Sequence, residues 1–178
     1  LDSGAAALVG SIPNATDRPR MLEGVAVWGL FSQKDPDDPP LLKYWFSAPT
    51  VPRANDWAYV DGASTNRLSL SLRSAACESH GAADVPAVAM ARFDGRSLPN
   101  ANITIIDATG ARTSTLTTGK DGTAAVRLPP GAPTFAIVSH VERAIGVDPS
   151  SGKPYDRIAH YATHSATMPQ LQLHRPVS

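Results

Sequence analysis

The chain has 178 residues, 42% of them hydrophobic, which is enough to build a core in one large or two small domains. Sixteen basic residues balance sixteen acidic ones, so no long-range field draws the chain to nucleic acid or to an anionic membrane surface. The single cysteine, Cys77, excludes an internal disulfide framework, and no apolar run approaches the roughly 20 residues of a membrane span.

Charged residues make up only 18% of a sequence rich in Pro, Gly, Ala, Ser and Thr, a balance that suits strands joined by many turns. The expected class is therefore all-β. Residues 1–22 have no sustained period, and "SIPNATDRPR" reads as an extended arm. "EGVAVWGLF" (23–31) is a strand ended by the prolines and aspartates of "SQKDPDDPP". "LLKYWFSA" (41–48) and "DWAYV" (56–60) follow as strands. In "NRLSLSLRS" (66–74), Leu68, Leu70 and Leu72 alternate with serines, as a sheet packed on one side requires. "AACESHGAAD" (75–84) is small, polar and without alternation, so it is read as a linker between a first β domain (23–74) and a second (85–178). Beyond it, strand-like runs of five to nine residues alternate with turn residues, the pattern of a β-sandwich. Asp94-Gly95 and Asp121-Gly122 are expected to close tight hairpins.

The stretch "AVAMARFDGRSLPNANITIIDATGARTSTLTTGKDGTAAVRLPPGAPTFAIVSH" resembles carboxypeptidase regulatory-like and transthyretin-like domains. The matching pieces are Asp94-Gly95, the run from Leu98 to Ile103, the run from Thr118 to Gly122, the run from Leu128 to Gly131, and Phe135. Asn100 stands where the pattern usually has glycine. This resemblance, which covers about residues 85–142, implies a transthyretin-like sandwich for the second half; with the strand signals of the first, two immunoglobulin- or transthyretin-like antiparallel sandwich halves are expected. Toward the end, "GKPYDRIAHYATHSATM" resembles the closing strand of an exported bacterial transthyretin-like family that accompanies nickel or cobalt uptake systems. It implies a periplasmic or secreted accessory module with a membrane transporter or another exported protein as partner. That family also carries a histidine near its mature amino terminus, whereas this chain has none before His80.

His160 and His164 are four apart, hence about 13 Å apart along a strand, too far to chelate one ion by themselves. An antiparallel pairing centred near residue 150 sets His140 opposite His160, with Glu142 and His164 extending that face. His140, His160 and His164 are thus the candidate ligands for nickel, cobalt or another divalent transition metal, against the plainer reading of solvent-facing strand histidines. Cys77 and His80 supply only two of the four ligands of a structural site. The aromatic set Trp28, Tyr44, Trp45, Phe46, Trp57 and Tyr59 offers a second possibility, a surface for carbohydrate or protein built on Trp45, Trp57 and Tyr59. In "KYWF", Tyr44 and Phe46 share one face and Trp45 takes the other. No nucleophile elbow, phosphate loop or cofactor fingerprint occurs, so a binding module is expected rather than an enzyme.

Overall fold

The computed structural model describes residues 20–32, 37–50, 64–74, 84–107, 109–110, 113–129 and 133–167, and every regular element among them is a β-strand. In chain order these are β1 (Arg20–Leu30), β2 (Leu41–Thr50), β3 (Leu68–Ser74), β4 (Val85–Phe93), β5 (Arg96–Ser97), β6 (Asn102–Asp107), β7 (Thr113–Thr117), β8 (Thr123–Leu128), β9 (Pro133–Val147) and β10 (Pro154–Thr167). They form two sheets. One is six-stranded in the order β1-β2-β10-β9-β6-β7, and in the other β4 pairs with β3 on one side and with β5 and β8 on the other. Among the described residues no helix is long and apolar enough to cross a membrane.

The expected boundary at 75–84 falls on residues of which 75–83 lie outside the described ones, and the strands on either side of it share both sheets. β1 and β2 add to β10 in the six-stranded sheet, while β3 pairs with β4 in the other. A hairpin as small as β1–β2 has too little partner surface to be stable alone. Here it is completed by β10, which lies parallel to β2 while all other described pairs are antiparallel.

The alternation read in residues 66–74 points Leu68, Leu70 and Leu72 inward, where they are buried. They meet Ile103 and Ile105 of β6, Val138 of β9 and Ala162 of β10 in one core shared by both sheets. Ala87, Ala89 and Ala91 on β4 belong to the same core as Ala136 and Ala166. Small side chains at these positions let the sheets approach, and each leucine buried contributes roughly 2 kcal/mol.

Three turns decide how the strands connect. Asp94 and Gly95 both have positive φ, 50° and 75°, the signature of a two-residue hairpin turn whose twist matches its strands, and they join β4 to β5. Asn100, at φ 56°, occupies the left-handed region that favours glycine. Asparagine is among the few other residues that tolerate it. Asp121-Gly122 departs from expectation. It closes a turn through Gly119, but it carries the chain from β7 in one sheet to β8 in the other, so no hairpin forms there. A Cβ at Gly122 would meet the Ala91 carbonyl oxygen at 2.8 Å and the Leu98 amide nitrogen at 2.9 Å, whereas one at Gly95 meets nothing within 4 Å.

The two glycines should therefore respond differently to the same substitution. Gly95→Ala is expected to cost about 1 kcal/mol, the left-handed backbone alone, and Gly122→Ala about 3 kcal/mol, because backbone atoms must also shift. Urea denaturation of both variants measures this, and equal losses would refute the close packing at Gly122.

Candidate functional site

β9 and β10 form an antiparallel pair in which His140 lies opposite His160, Val138 opposite Ala162 and Ala136 opposite His164. The strands run farther than the sequence suggests, so that residues 148–153 alone connect them. Asp148 is buried at the start of this connection and takes hydrogen bonds from the hydroxyls of Ser151 at 2.5 Å and Ser150 at 2.8 Å. Those donors hold its carboxyl below the usual carboxylate range and fix the turn.

The plainer reading of the histidines, as solvent-facing strand residues, is corrected for two of the three. His160 and His164 are 0% and 2% exposed and point between the sheets. The even-numbered side chains of β10 face the core, so both imidazoles share a layer with Ala162 and Ala166. His140 is half-buried, and its ring lies against Phe93 of β4 at 4.3 Å between centroids. Phe93 also meets His160 edge-on at 5.2 Å.

Both nitrogens of His160 are engaged. The Trp45 indole N–H donates to Nδ1 at 2.9 Å, and because an indole can only donate, the ring proton must sit on Nε2. Nε2–H then donates to Glu142 Oε1 at 2.9 Å. Glu142 in turn accepts two bonds from Arg67, at 2.7 and 3.0 Å, and Arg67 donates two more to Asp94, at 2.7 and 2.8 Å. The Arg67 guanidinium also stands 4.9 Å from the centre of the Phe93 ring. A continuous polar chain thus runs from β2 through β10 and β9 to Arg67, just before β3, and Asp94, just after β4.

Electrostatics within this chain follow from burial and charge. Burial pushes the His160 pKa below the ordinary histidine value, and the hydrogen bond to Glu142 offsets only part of that. Burial alone would raise Glu142, but Arg67 and His160 outweigh it and hold the carboxyl below its usual range. The His160–Glu142 contact is therefore a neutral imidazole donating to a carboxylate. His164 lies in a more apolar place, with Ser47 Oγ of β2 at 2.8 Å from its Nδ1, and burial lowers its pKa to about 4.

For the nickel or cobalt ion that the resemblance implies, this arrangement is a poor fit. His140 and His160 are opposed, but Phe93 packs against both rings and an ion on His160 must displace either Trp45 or Glu142. His164 reaches toward Ser47 instead. Among the described residues, no three His, Cys, Asp or Glu side chains are gathered so as to hold a metal ion. Cys77 and His80 lie outside the described residues.

The aromatic candidates also separate. Trp45 packs against the core and spends its N–H on His160, while Trp57 and Tyr59 lie outside the described residues. Tyr44 and Phe46, on the other face of β2, are exposed, as the alternation in "KYWF" requires. Sequence reasoning did not bring Tyr161 and Phe135 to this outer face. β10 places Tyr161 beside Tyr44, with the rings stacked at 5.2 Å and 18° between planes, and Trp28 meets Tyr44 edge-on at 6.3 Å. Phe135, on β9, is exposed on the same side of the sheet. The strand alternation around Tyr161 could have shown its face, but not which strand lies next to it.

No family model, curated protein or solved structure matches this chain.

Two neutral buried histidines make stability depend on pH. For His164 the folded pKa of about 4 lies below the unfolded value near 6.5, so the unfolded chain takes up the proton first. Its contribution is complete above about pH 6.5 and is lost as pH falls toward 4, on the order of 3 kcal/mol in all. His160 acts in the same direction. Carboxylates with lowered pKa begin to weaken the fold only as the unfolded chain binds their protons, near and below about pH 5, so denaturant titrations between about pH 6.5 and 5.5 isolate the histidines. His164→Asn should show a shallower decline than wild type; an unchanged slope would mean that His164 is not buried and neutral.

Proposed function

We propose that the protein is a non-catalytic protein-interaction module of β-sandwich architecture, immunoglobulin- or transthyretin-like in topology, that docks partners through the outer face of its six-stranded sheet. The docking reading is carried by one observation. Trp28, Tyr44, Phe46 and Phe135 stand on that face 72%, 38%, 41% and 45% exposed. The residues between them in the cross-strand rows are Tyr161, Ser139, Thr163, Ile137, Ser165 and Ile106, so no charge interrupts the patch. Apolar surface of this kind on a folded chain marks an interaction site.

Ring orientation favours protein over carbohydrate. A sugar packs its C–H groups on a ring face, but Tyr44 and Tyr161 turn their faces to each other and offer edges to the solvent. Edges of aromatic rings beside hydroxyls and aliphatic groups suit a protein surface, which brings both apolar contacts and hydrogen bonds. The topological part of the proposal draws support from two sheets sharing one core and from the family turn residues standing at turns, Asp94-Gly95 and Asn100. A periplasmic or secreted location, with an exported protein as partner, rests on the resemblance in residues 152–168.

Presentation of nickel or cobalt to a membrane transporter is the weaker reading, because His160 is already doubly bonded and His164 turns to another strand. In a calorimetric nickel titration, wild type, His140→Ala and His160→Ala are expected to behave alike; a saturable site lost in His160→Ala would restore the metal reading.

The docking surface is tested by photocrosslinking. A photoreactive amino acid replacing Trp28 or Phe135 should give discrete protein adducts in the native compartment, and one replacing the exposed Ala125 on β8 of the other sheet should give none. Absence of adducts from both outer-face positions, or equal adducts from Ala125, would overturn the proposal.

A further inference from the structure

We propose that the occupant of the outer face of the six-stranded sheet is a second copy of this chain, packed sheet on sheet about a two-fold axis. This rests on the docking reading above and goes further by naming the partner.

The area is sufficient. Six strands spaced about 4.8 Å apart and about seven residues long at roughly 3.3 Å each span a face of about 24 by 23 Å. That is about 550 Å² in flat projection, and with side-chain relief it reaches the lower end of stable interfaces, about 600 Å² per partner. The four exposed aromatic residues alone leave on the order of 400 Å² in contact with water, comparable to the largest apolar patch of a whole monomer.

Charge points to self-association. A two-fold interface sets the same patch against itself, so any charge near its centre meets its own sign. The described rows of this face carry none: Ala26, Tyr44 and Tyr161 in one, with Trp28 at the β1 bulge edge-on to Tyr44, Phe46 and Ile137 in the next, Phe135 in the third, with serine and threonine between. Among the described residues the nearest outer-face charges, Arg143 and Arg157, are opposed across β9 and β10 toward the hairpin end and would lie at the rim. The whole chain has no net charge at pH 7, so two copies do not repel at a distance. Aromatic enrichment with charge depletion at the centre is the composition of homodimer cores.

Sedimentation velocity across roughly 1–100 µM chain tests this directly. Wild type should sediment as a dimer in the upper part of that range. Trp28→Asp and Phe135→Asp, each placing a charge in the uncharged face, should be monomers at the same concentration, with at least a tenfold weaker association. Both positions are well exposed, so neither substitution should lower the melting temperature much, and the melt is measured alongside. Phe46 is avoided because its ring lies over Gly24 and its loss would disturb the β1–β2 hairpin. Ala125→Asp, on the other sheet, should remain dimeric. A wild type that stays monomeric at 100 µM, or a dimer unaffected by both outer-face charges, would overturn the proposal. A monomer that still gives adducts to a different protein from Trp28 or Phe135 would leave the docking reading intact and reject only the second copy.

Discussion

A buried imidazole must have both nitrogens satisfied, and His160 meets that requirement within the six-stranded sheet, at the head of a chain of contacts that Arg67 carries to the other sheet. Its ring has no exposed surface, so water cannot serve as partner. The two bonds it makes are to Trp45 on the neighbouring strand and to Glu142, whose charge is held by Arg67 and, through Arg67, by Asp94. Removing Trp45 or Glu142 leaves a His160 nitrogen stranded in a low-dielectric place, which costs more than the lost bond itself, whereas at the exposed Arg67–Asp94 end water can replace a lost partner. The register of β9 on β10, the approach of the loop before β3 and the turn after β4 are all constrained by this chain of contacts.

The same constraint divides the work of β2. Trp45 and Ser47 turn inward and bond to His160 and His164, which laces the parallel β2–β10 seam on its core side. Tyr44 and Phe46, one residue out of phase, must then face outward. Because side chains alternate along a strand, a polar anchor on one face obliges its neighbours to the other. The exposed aromatic surface is in this sense a geometric consequence of the buried histidines, with β10 contributing Tyr161 to the outside and His160 to the inside from adjacent positions.

Much of this was legible in particular residues. Leu68, Leu70 and Leu72 declared their inward face by alternation with serine. Asp94-Gly95 declared a hairpin turn because few other pairs accept positive φ twice. The opposition of His140 and His160 followed from the position of the connection between their strands, even though β9 and β10 extend beyond the expected limits. By contrast, Asp121-Gly122 looked like a second hairpin, and only the pairing of β8 with β4 reveals it as a passage between sheets.

By itself, the sequence determined the all-β class, which residues of a strand share a face, and the positive-φ turn at Asp94-Gly95, because all of these depend on neighbours one or two residues apart. Tertiary structure alone decided that His160 and His164 are buried, that Trp45 is an internal donor, and that Trp28, Tyr44, Tyr161 and Phe135 share one surface. Burial and adjacency across strands depend on which strands pair and which sheet covers them. Those choices join β2 to β10 across more than a hundred residues, a distance over which no local pattern carries information about contact.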